Sequence, residues 1–140
     1  MSLITQIMQY LDDEGVGTYD STGTTGSIFA GDFPSSPDHC IVVRGTGGPQ
    51  GDMKFPYDIP SIQILVRGSS NPIPAYNKAL EVYGLLHNFR GDKLVIDGYH
   101  IIEITGIQSS PAEIGRDDNG RYRYSQNYHV QLVNQTEFRL

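Results

Sequence analysis

The feature that most constrains the fold is a strictly alternating segment near the end of the chain. From Tyr122 to Leu132 every second residue belongs to an apolar and aromatic set that includes one glutamine, and the residues between them are polar. Alternation with a period of two is typical of a β-strand with one covered face and one polar face. The covered set is Tyr122, Tyr124, Gln126, Tyr128, Val130 and Leu132, and the polar set is Arg123, Ser125, Asn127, His129 and Gln131.

Two other segments have helical periods. Residues 2–13 carry apolar side chains three and four positions apart, with Ser2 as a candidate N-cap and Gly15 just beyond the end. In the segment 71–91 an apolar face is predicted to include Leu80 and Phe89, with Pro74 in the first turn and Gly91 as the C-cap. We expect both helices to cover the sheet.

The remaining apolar runs are typical of short strands, and turn residues separate them. A turn is expected at Asp97-Gly98. The order helix, three strands, helix, three strands predicts an α+β fold, with an antiparallel or mixed sheet of about four to six strands and both helices on one face. The other expected strands are Ser27–Ala30, Cys40–Arg44, Ser61–Arg67, Leu94–Ile96 and His100–Ile107.

Size and charge narrow the function classes. With 140 residues and a formal net charge of −6, the chain fits one domain and lacks the basic field that holds nucleic-acid phosphates. Its one cysteine, Cys40, cannot form an internal disulfide. The N-terminal segment has no signal-peptide pattern, and no apolar run is long enough to span a bilayer. We expect a soluble protein of the cytoplasm, unless it leaves the cell within a larger assembly.

One long segment shows neither the period of a strand nor that of a helix. Gly45 to Pro60 contains several Gly and Pro residues together with two large apolar side chains, Met53 and Phe55. Long loops in small domains tend to be functional, so this segment is predicted to be an exposed loop that contacts a partner.

The candidate chemical motifs are weak. The glycines of Gly45–Gly48 lack the Lys-Ser or Lys-Thr and the following helix of a phosphate loop, and the Ser, Asp and His of residues 35–39 lie too close together for a triad. The turn Asp117–Gly120 lacks the ligand spacing of a calcium loop. The histidines His39, His87, His100 and His129 form no metal-ligand spacing. The sequence therefore predicts no catalytic residue, cofactor or metal; a small hydrolase using His39 or His129 is the less favoured alternative.

Three segments in this order resemble the tail terminator proteins of long-tailed phages, a group also labelled minor capsid proteins. They are FPYDIPSIQILVRG, PAYNKALEVYGLLHNF and SSPAEIGRDDNGRYRYSQNYHVQLVN, which span Phe55 to Val133 and include Gly115-x-Asp117…Gly120-Arg121 and Asn127-Tyr128-x-Val130. The resemblance implies a homo-oligomeric, hexameric ring that ends tail-tube polymerisation and meets the head connector. It also implies a place in the virion, with assembly in the host cytoplasm. A head-side neck adaptor is the alternative within the same context.

This assignment, together with the residue pattern, suggests two sets of site residues. A closed head-to-tail ring needs two complementary surfaces, and DNA must pass without being held tightly. Interface residues are expected at Met53, Lys54, Phe55, Arg116, Asp117, Asp118, Arg121 and Arg123. Channel-facing carboxylates are expected at Asp52 and Asp58, with Asp12, Asp13, Glu14, Asp117 and Asp118 as further candidates.

Overall fold

Two helices and eight strands form in the residues that the structure, a computed structural model, describes: 2–22, 25–90 and 99–140. The helices are α1 (Leu3–Asp13) and α2 (Pro72–Leu86). The strands are β1 (Ile28–Ala30), β2 (Cys40–Gly47), β3 (Tyr57–Asp58), β4 (Ser61–Arg67), β5 (Phe89–Arg90), β6 (His100–Gly106), β7 (Ala112–Arg116) and β8 (Tyr122–Val133). The α+β class is confirmed, although the strand count exceeds the predicted four to six because β3, β5 and β7 are short and carry no buried alternation.

All eight strands belong to one mixed sheet with the order β1-β2-β4-β8-β6-β5. Only the β1–β2 pair is parallel among the described strands. The long strand β8 is the hub of the sheet, because β3 pairs with its C-terminal end and β7 with its N-terminal end. The short strands β3 and β7 therefore extend the sheet at opposite ends of β8.

The apolar set of β8 faces the core as the alternation predicts. Tyr128 and Val130 are fully buried, and Gln126 is buried beside them. Both helices pack on this face: α1 contributes Ile7 and Leu11, and α2 contributes Ala75, Ala79, Val82 and Leu86. The prediction that both helices lie on one face of the sheet is confirmed.

The opposite face is not wholly open to solvent. Leu65 and Arg67 of β4 are both 3% exposed, although their positions alternate with the core residues of that strand. Arg67 donates hydrogen bonds to the carbonyl oxygens of Pro37 and Asp38 and lies against the ring of Phe33. The segment 33–38 therefore lies over this end of the second face.

The helix ends follow local capping chemistry. The Ser2 hydroxyl accepts from the Thr5 amide and begins α1, and the Asn71 side chain accepts from the Ile73 amide and begins α2. Asn88, with a φ of 63°, takes the left-handed position after α2. The predicted C-cap Gly91, the strand Leu94–Ile96 and the turn Asp97-Gly98 lie outside the described residues.

The predicted apolar face of α2 is buried at Ala79 and Leu86, but it differs at Leu80, and Phe89 lies beyond the helix in β5. Leu80 is 36% exposed, whereas Ala75 and Val82 are buried. A Cβ atom built on Gly68 would lie 2.9 Å from the Ala75 Cβ, so the small pair Gly68 and Ala75 lets the start of the helix approach the sheet closely. Ala75 therefore lies on the side of the helix that faces the sheet, and Leu80 lies on the more exposed side.

Candidate assembly surface

The predicted loop is shorter than expected and joins a second segment. Because β2 continues to Gly47 and β3 begins at Tyr57, the irregular part runs from residue 48 to residue 56. The Leu140 amide donates to the Lys54 carbonyl at 2.7 Å, and the Asn134 amide donates to the Pro56 carbonyl at 3.0 Å. Residues 49–58 and 134–140 thus form one structural unit, which we call the lobe.

An ion pair fastens the two halves of the lobe. The Arg139 guanidinium donates to Asp58 Oδ1 at 2.6 Å and to Asp58 Oδ2 at 2.9 Å, and Asn134 Nδ2 donates to Asp58 Oδ2 at 3.0 Å. Hydrogen bonds from Arg139, with smaller contributions from Asn134, hold the pKa of the Asp58 carboxyl below its usual range. Asp58, a predicted channel-facing residue, therefore carries its charge as half of an ion pair.

The tip of the lobe is a turn built on Asp52. Its Oδ1 accepts from the amides of Phe55 and Lys54, at 2.7 Å and 2.8 Å. These backbone hydrogen bonds lower the pKa of Asp52. This turn leaves the side chains of Met53, Lys54 and Phe55 exposed to solvent.

Large apolar side chains cover the lobe surface. Met53 is 82% exposed and Phe55 is 57% exposed. Phe138 and Leu140, at 88% and 77%, add to the same unit. The sequence pattern indicates Met53 and Phe55 but not Phe138 and Leu140, because the C-terminal segment has no period and its contact with the loop joins residues 81 positions apart.

The predicted charged residues around β7 and β8 divide into two groups. Asp117 accepts hydrogen bonds from the Arg121 amide and from Arg121 Nε, at 2.9 Å and 2.7 Å, and it also accepts from the Asn119 amide. Arg121 is 9% exposed and also donates to Asp38 and to the Ser35 carbonyl. Partial burial opposes ionisation of Asp117, but the hydrogen bonds from Arg121 outweigh it and lower the pKa. Asp117 and Arg121 thus hold the hairpin and the segment 33–38 together.

Of the other charged residues of the hairpin, Arg116 and Asp118 remain at the surface, whereas Arg123 is half-buried and its Nε has no hydrogen-bond partner among the described residues. Arg116 and Asp118 are exposed, and the Arg116 guanidinium lies 5.6 Å from the centroid of the Tyr122 ring. Arg123 Nη2 makes only long contacts, of 3.5 Å and 3.4 Å, to the carbonyls of Ile114 and Arg116. Arg116 and Asp118 are therefore available to a partner in a way that Asp117 and Arg121 are not, and Arg123 is available only through the end of its guanidinium.

Apart from Asp12, Asp13 and Glu14 at the end of α1, the predicted acidic residues belong to the lobe or to the hairpin, and these two groups lie far apart. Asp58 pairs with Leu132 near the end of β8, whereas Asp117 and Asp118 precede its first residue, Tyr122. A strand of 12 residues spans roughly 40 Å. A channel wall that includes both groups would have to extend over most of the length of β8.

The histidines take local roles. His129 Nδ1 lies 3.0 Å from the Ser61 hydroxyl across two strands, and His87 Nδ1 accepts from the Gly106 amide. Within the described ranges no carboxylate forms a hydrogen bond with His129, and no three His, Cys, Asp or Glu side chains gather as metal ligands. His39 and His100 are exposed, and burial raises the pKa of the Cys40 thiol.

No helix in the described parts of the chain has the length and apolarity to cross a membrane.

Comparison with known proteins adds a family and a fold. Residues 10–134 match the family described as bacteriophage tail terminator protein. A chain from the virion of a native gene transfer agent particle shares the fold with a TM-score of 0.61 and 13% sequence identity. The alignment covers 96% of the present chain and all of the virion chain. No curated protein matches the sequence.

Proposed function

The chain belongs to the bacteriophage tail terminator family, and from this membership we propose that it forms a hexameric ring that caps the tail tube. In this proposal the ring ends tube polymerisation and joins the tail to the head connector, after assembly in the host cytoplasm. The match over residues 10–134 is the observation that carries the proposal, since it spans the end of α1, all of α2, the whole sheet and the first segment of the lobe. The coarser role, a structural protein of phage tail completion, follows from the family itself.

The lobe supports the proposal because it is built to contact a partner. Four large apolar side chains on one small unit are unfavourable in water, and side chains of this kind provide much of the energy of protein interfaces. The ion pair between Asp58 and Arg139 orders the unit in advance, which lowers the entropy cost of binding. We assign Met53, Lys54 and Phe55 to the interface, together with Phe138 and Leu140.

The β7–β8 hairpin is the proposed second contact surface. It lies at the end of β8 opposite the lobe, and a head-to-tail ring requires two different surfaces on each subunit. Arg116, Asp118 and Arg123 are the side chains that it offers to a partner. Asp117 and Arg121 support the hairpin from within.

Passage of DNA is consistent with the charge of the subunit. A net charge of −6 repels phosphates, so a ring of such subunits releases DNA rather than binding it. Asp13, Glu14 and Asp118 are the exposed members of the predicted acidic set beyond the lobe. We propose that channel-facing charge comes from residues of this kind rather than from the paired Asp58.

The test is the length of tail tubes assembled in its presence. The tube protein of the same phage is polymerised with and without the purified subunit, and tube lengths and end structures are measured by negative-stain microscopy. We expect shorter tubes with a ring at one end, at subunit concentrations well below that of the tube protein. Tubes of unchanged length, with the subunit bound instead to filled heads, would assign it to the neck as an adaptor.

A further inference from the structure

The tip of the β7–β8 hairpin carries an Asn-Gly step. Among the asparagines of the sequence, only Asn119 is followed by glycine. Its side chain is exposed and forms no hydrogen bond with the described residues. The other asparagines all precede larger residues: Asn71, Asn77, Asn88, Asn127 and Asn134.

An Asn-Gly step has a reactivity of its own. The backbone nitrogen after an asparagine can attack the carboxamide carbon, because the two atoms close a five-membered ring, and glycine has no side chain to crowd that ring. The bond from Gly120 N to Asn119 Cγ forms, the bond from Cγ to the carboxamide nitrogen breaks, and ammonia leaves with the proton of the Gly120 amide. Water then opens the cyclic imide at either carbonyl and gives aspartate or isoaspartate. The net change is one water taken up and one ammonia released.

The turn holds the attacking nitrogen back. The Gly120 amide donates to the Asp117 carbonyl at 2.9 Å, and the Asn119 amide donates to Asp117 Oδ1 at 3.0 Å. Asp117 Oδ1 also accepts from the Arg121 amide at 2.9 Å, so one residue fixes the backbone on both sides of the reactive step. Attack requires the Gly120 amide to leave the Asp117 carbonyl. The reaction therefore proceeds from a locally opened turn.

The base of the hairpin is anchored more firmly than its tip. Asp117 Oδ2 accepts from Arg121 Nε at 2.7 Å, and Arg121 also donates to Asp38 and to the Ser35 carbonyl. The tip itself is exposed at Asn119. Local opening of an exposed turn requires far less free energy than unfolding of a buried strand. The reaction is therefore accessible to the folded subunit.

We propose that Asn119 is a site of spontaneous deamidation in the folded subunit, and that Asp117 sets the rate by holding the Gly120 amide. The reaction turns a neutral carboxamide beside Asp117 and Asp118 into a third carboxylate. Isoaspartate also adds a methylene group to the main chain between the two amides that share Asp117 Oδ1. Both products therefore disturb the turn.

The consequence for assembly rests on the proposed ring, in which this hairpin is the second contact surface. Each subunit already has a formal net charge of −6, so a further negative charge at a contact increases the repulsion between neighbours. We expect deamidated subunits to cap fewer tail tubes. Subunits within a ring react more slowly, because the contact restrains the turn.

The experiment follows the peptide 117–121, which trypsin releases by cutting after Arg116 and Arg121. The folded protein and a synthetic peptide of residues 115–122 are incubated at neutral and mildly alkaline pH in water labelled with heavy oxygen. They are then digested in ordinary water and analysed by mass spectrometry, so that the label marks conversion during the incubation. We expect aspartate and isoaspartate products in both samples, at a rate that rises with pH and is lower in the folded protein.

Two pairs of variants separate the site from the residue that controls it. We expect D117A to react at least roughly fivefold faster than the unmodified protein, the change expected when about one net hydrogen bond is lost. The control is D118A, which changes a carboxylate of the same turn that does not hold the Gly120 amide. N119Q keeps a carboxamide but requires a six-membered ring, so it stays unmodified and serves as the control for capping by aged subunits.

Hydrogen exchange of the Gly120 amide measures the opening without any variant. We expect this amide to exchange more slowly in the folded protein than in the synthetic peptide, because it donates to the Asp117 carbonyl. This measurement tests the role of Asp117 even where D117A does not fold.

The outcomes are distinct. An unmodified peptide 117–121 from the folded protein, after a time in which the synthetic peptide converts, would overturn the site. Equal rates in D117A and D118A, or Gly120 exchange as fast as in the synthetic peptide, would overturn the control by Asp117. Aged unmodified-sequence subunits that cap tubes as well as aged N119Q would remove the link to assembly and leave the proposed function standing. Fresh subunits that neither cap nor shorten tubes would overturn the proposed function and leave the deamidation site standing.

Discussion

At the scale of single residues, one ion pair decides whether the lobe is a defined surface. Asp58 and Arg139 join segments that are distant in sequence, and the space beside them is tight. A Cβ atom on Gly51 would lie 2.5 Å from Asp58 Oδ1 and 2.9 Å from Arg139 Nη2. Only glycine fits there without displacing the ion pair, so Gly51, Asp58 and Arg139 act together to order the lobe.

This pair gives a pH dependence with a definite sign. The native pKa of Asp58 is depressed, so its stabilising contribution is complete above the unfolded-state pKa of about 3.9 and is lost as the pH falls through the lower native value. We expect R139Q to raise the pKa of Asp58 toward its ordinary value, because the hydrogen bonds from the guanidinium are the largest cause of the shift. The measurement is an NMR titration of the Asp58 carboxyl carbon.

The matched control for that titration is R90Q. Arg90 pairs with Glu103 on the surface and lies in a different part of the sheet, so R90Q leaves the Asp58 titration unchanged. The same titration midpoint in R139Q and in the unmodified protein would show that the lobe does not depend on this pair.

The residues of the β7–β8 turn show why sequence alone assigned some site residues incompletely. The pattern from Gly115 to Arg121 was identified through the family resemblance, and its turn forms as the Asn119-Gly120 pair predicts. Its buried part was not visible in the sequence, because Arg121, besides its local partner Asp117, donates to Asp38 and to the Ser35 carbonyl, more than 80 positions away. No pattern in the neighbouring sequence shows that Arg121 is buried and Arg116 is exposed.

At the scale of elements, the period of the apolar residues predicted the long helix and strands that bury one face. Helix α1 and strands β4 and β8 lie where their patterns place them, because each buries one face of regular structure. Strands β3, β5 and β7 were missed because two residues give no period and because all of β7 is exposed. Only the first segment of the lobe can be predicted from the sequence. The second segment, residues 134–140, joins this surface only through hydrogen bonds to residues 54–58, which are distant in sequence.

In the lobe, the effect of a mutation on the stability of the fold can be measured separately from its effect on assembly. The double change M53S/F55S removes two exposed apolar side chains that contribute little to the core. We therefore expect a melting temperature close to that of the unmodified protein and a clear loss of ring formation on tail tubes. The measurements are a thermal melt followed by circular dichroism and the fraction of capped tubes.

The control for this pair is I107S, which changes an exposed apolar residue at the end of β6, outside the lobe. We expect it to preserve both the melting temperature and capping. Unfolding of M53S/F55S at ordinary temperature would place these side chains in the core and remove the basis for the lobe as a contact surface.

At the scale of the whole molecule, β8 organises the proposed assembly surfaces. The lobe lies at one end of this strand and the hairpin at the other, while both helices cover a single face. The two ends are thus held at a fixed separation by a rigid sheet. In the proposed ring, this fixed separation would set the position of one neighbour relative to the next.

The hairpin end also carries the clearest test of the channel hypothesis. Asp118 is exposed, and D118K raises the net charge of the subunit by two, from −6 to −4. If Asp118 faces the channel, its replacement in every copy of a ring places a circle of cations around the DNA. We expect normal tail length but slower genome ejection from phage that carry D118K, with a rate that recovers as salt screens the new charges. The matched control is D32K, which makes the same change of charge at an exposed aspartate on the segment after β1. Equal ejection rates for D118K and D32K would exclude Asp118 from the channel wall, because a charge effect that ignores position reflects the net charge of the particle rather than contact with passing DNA.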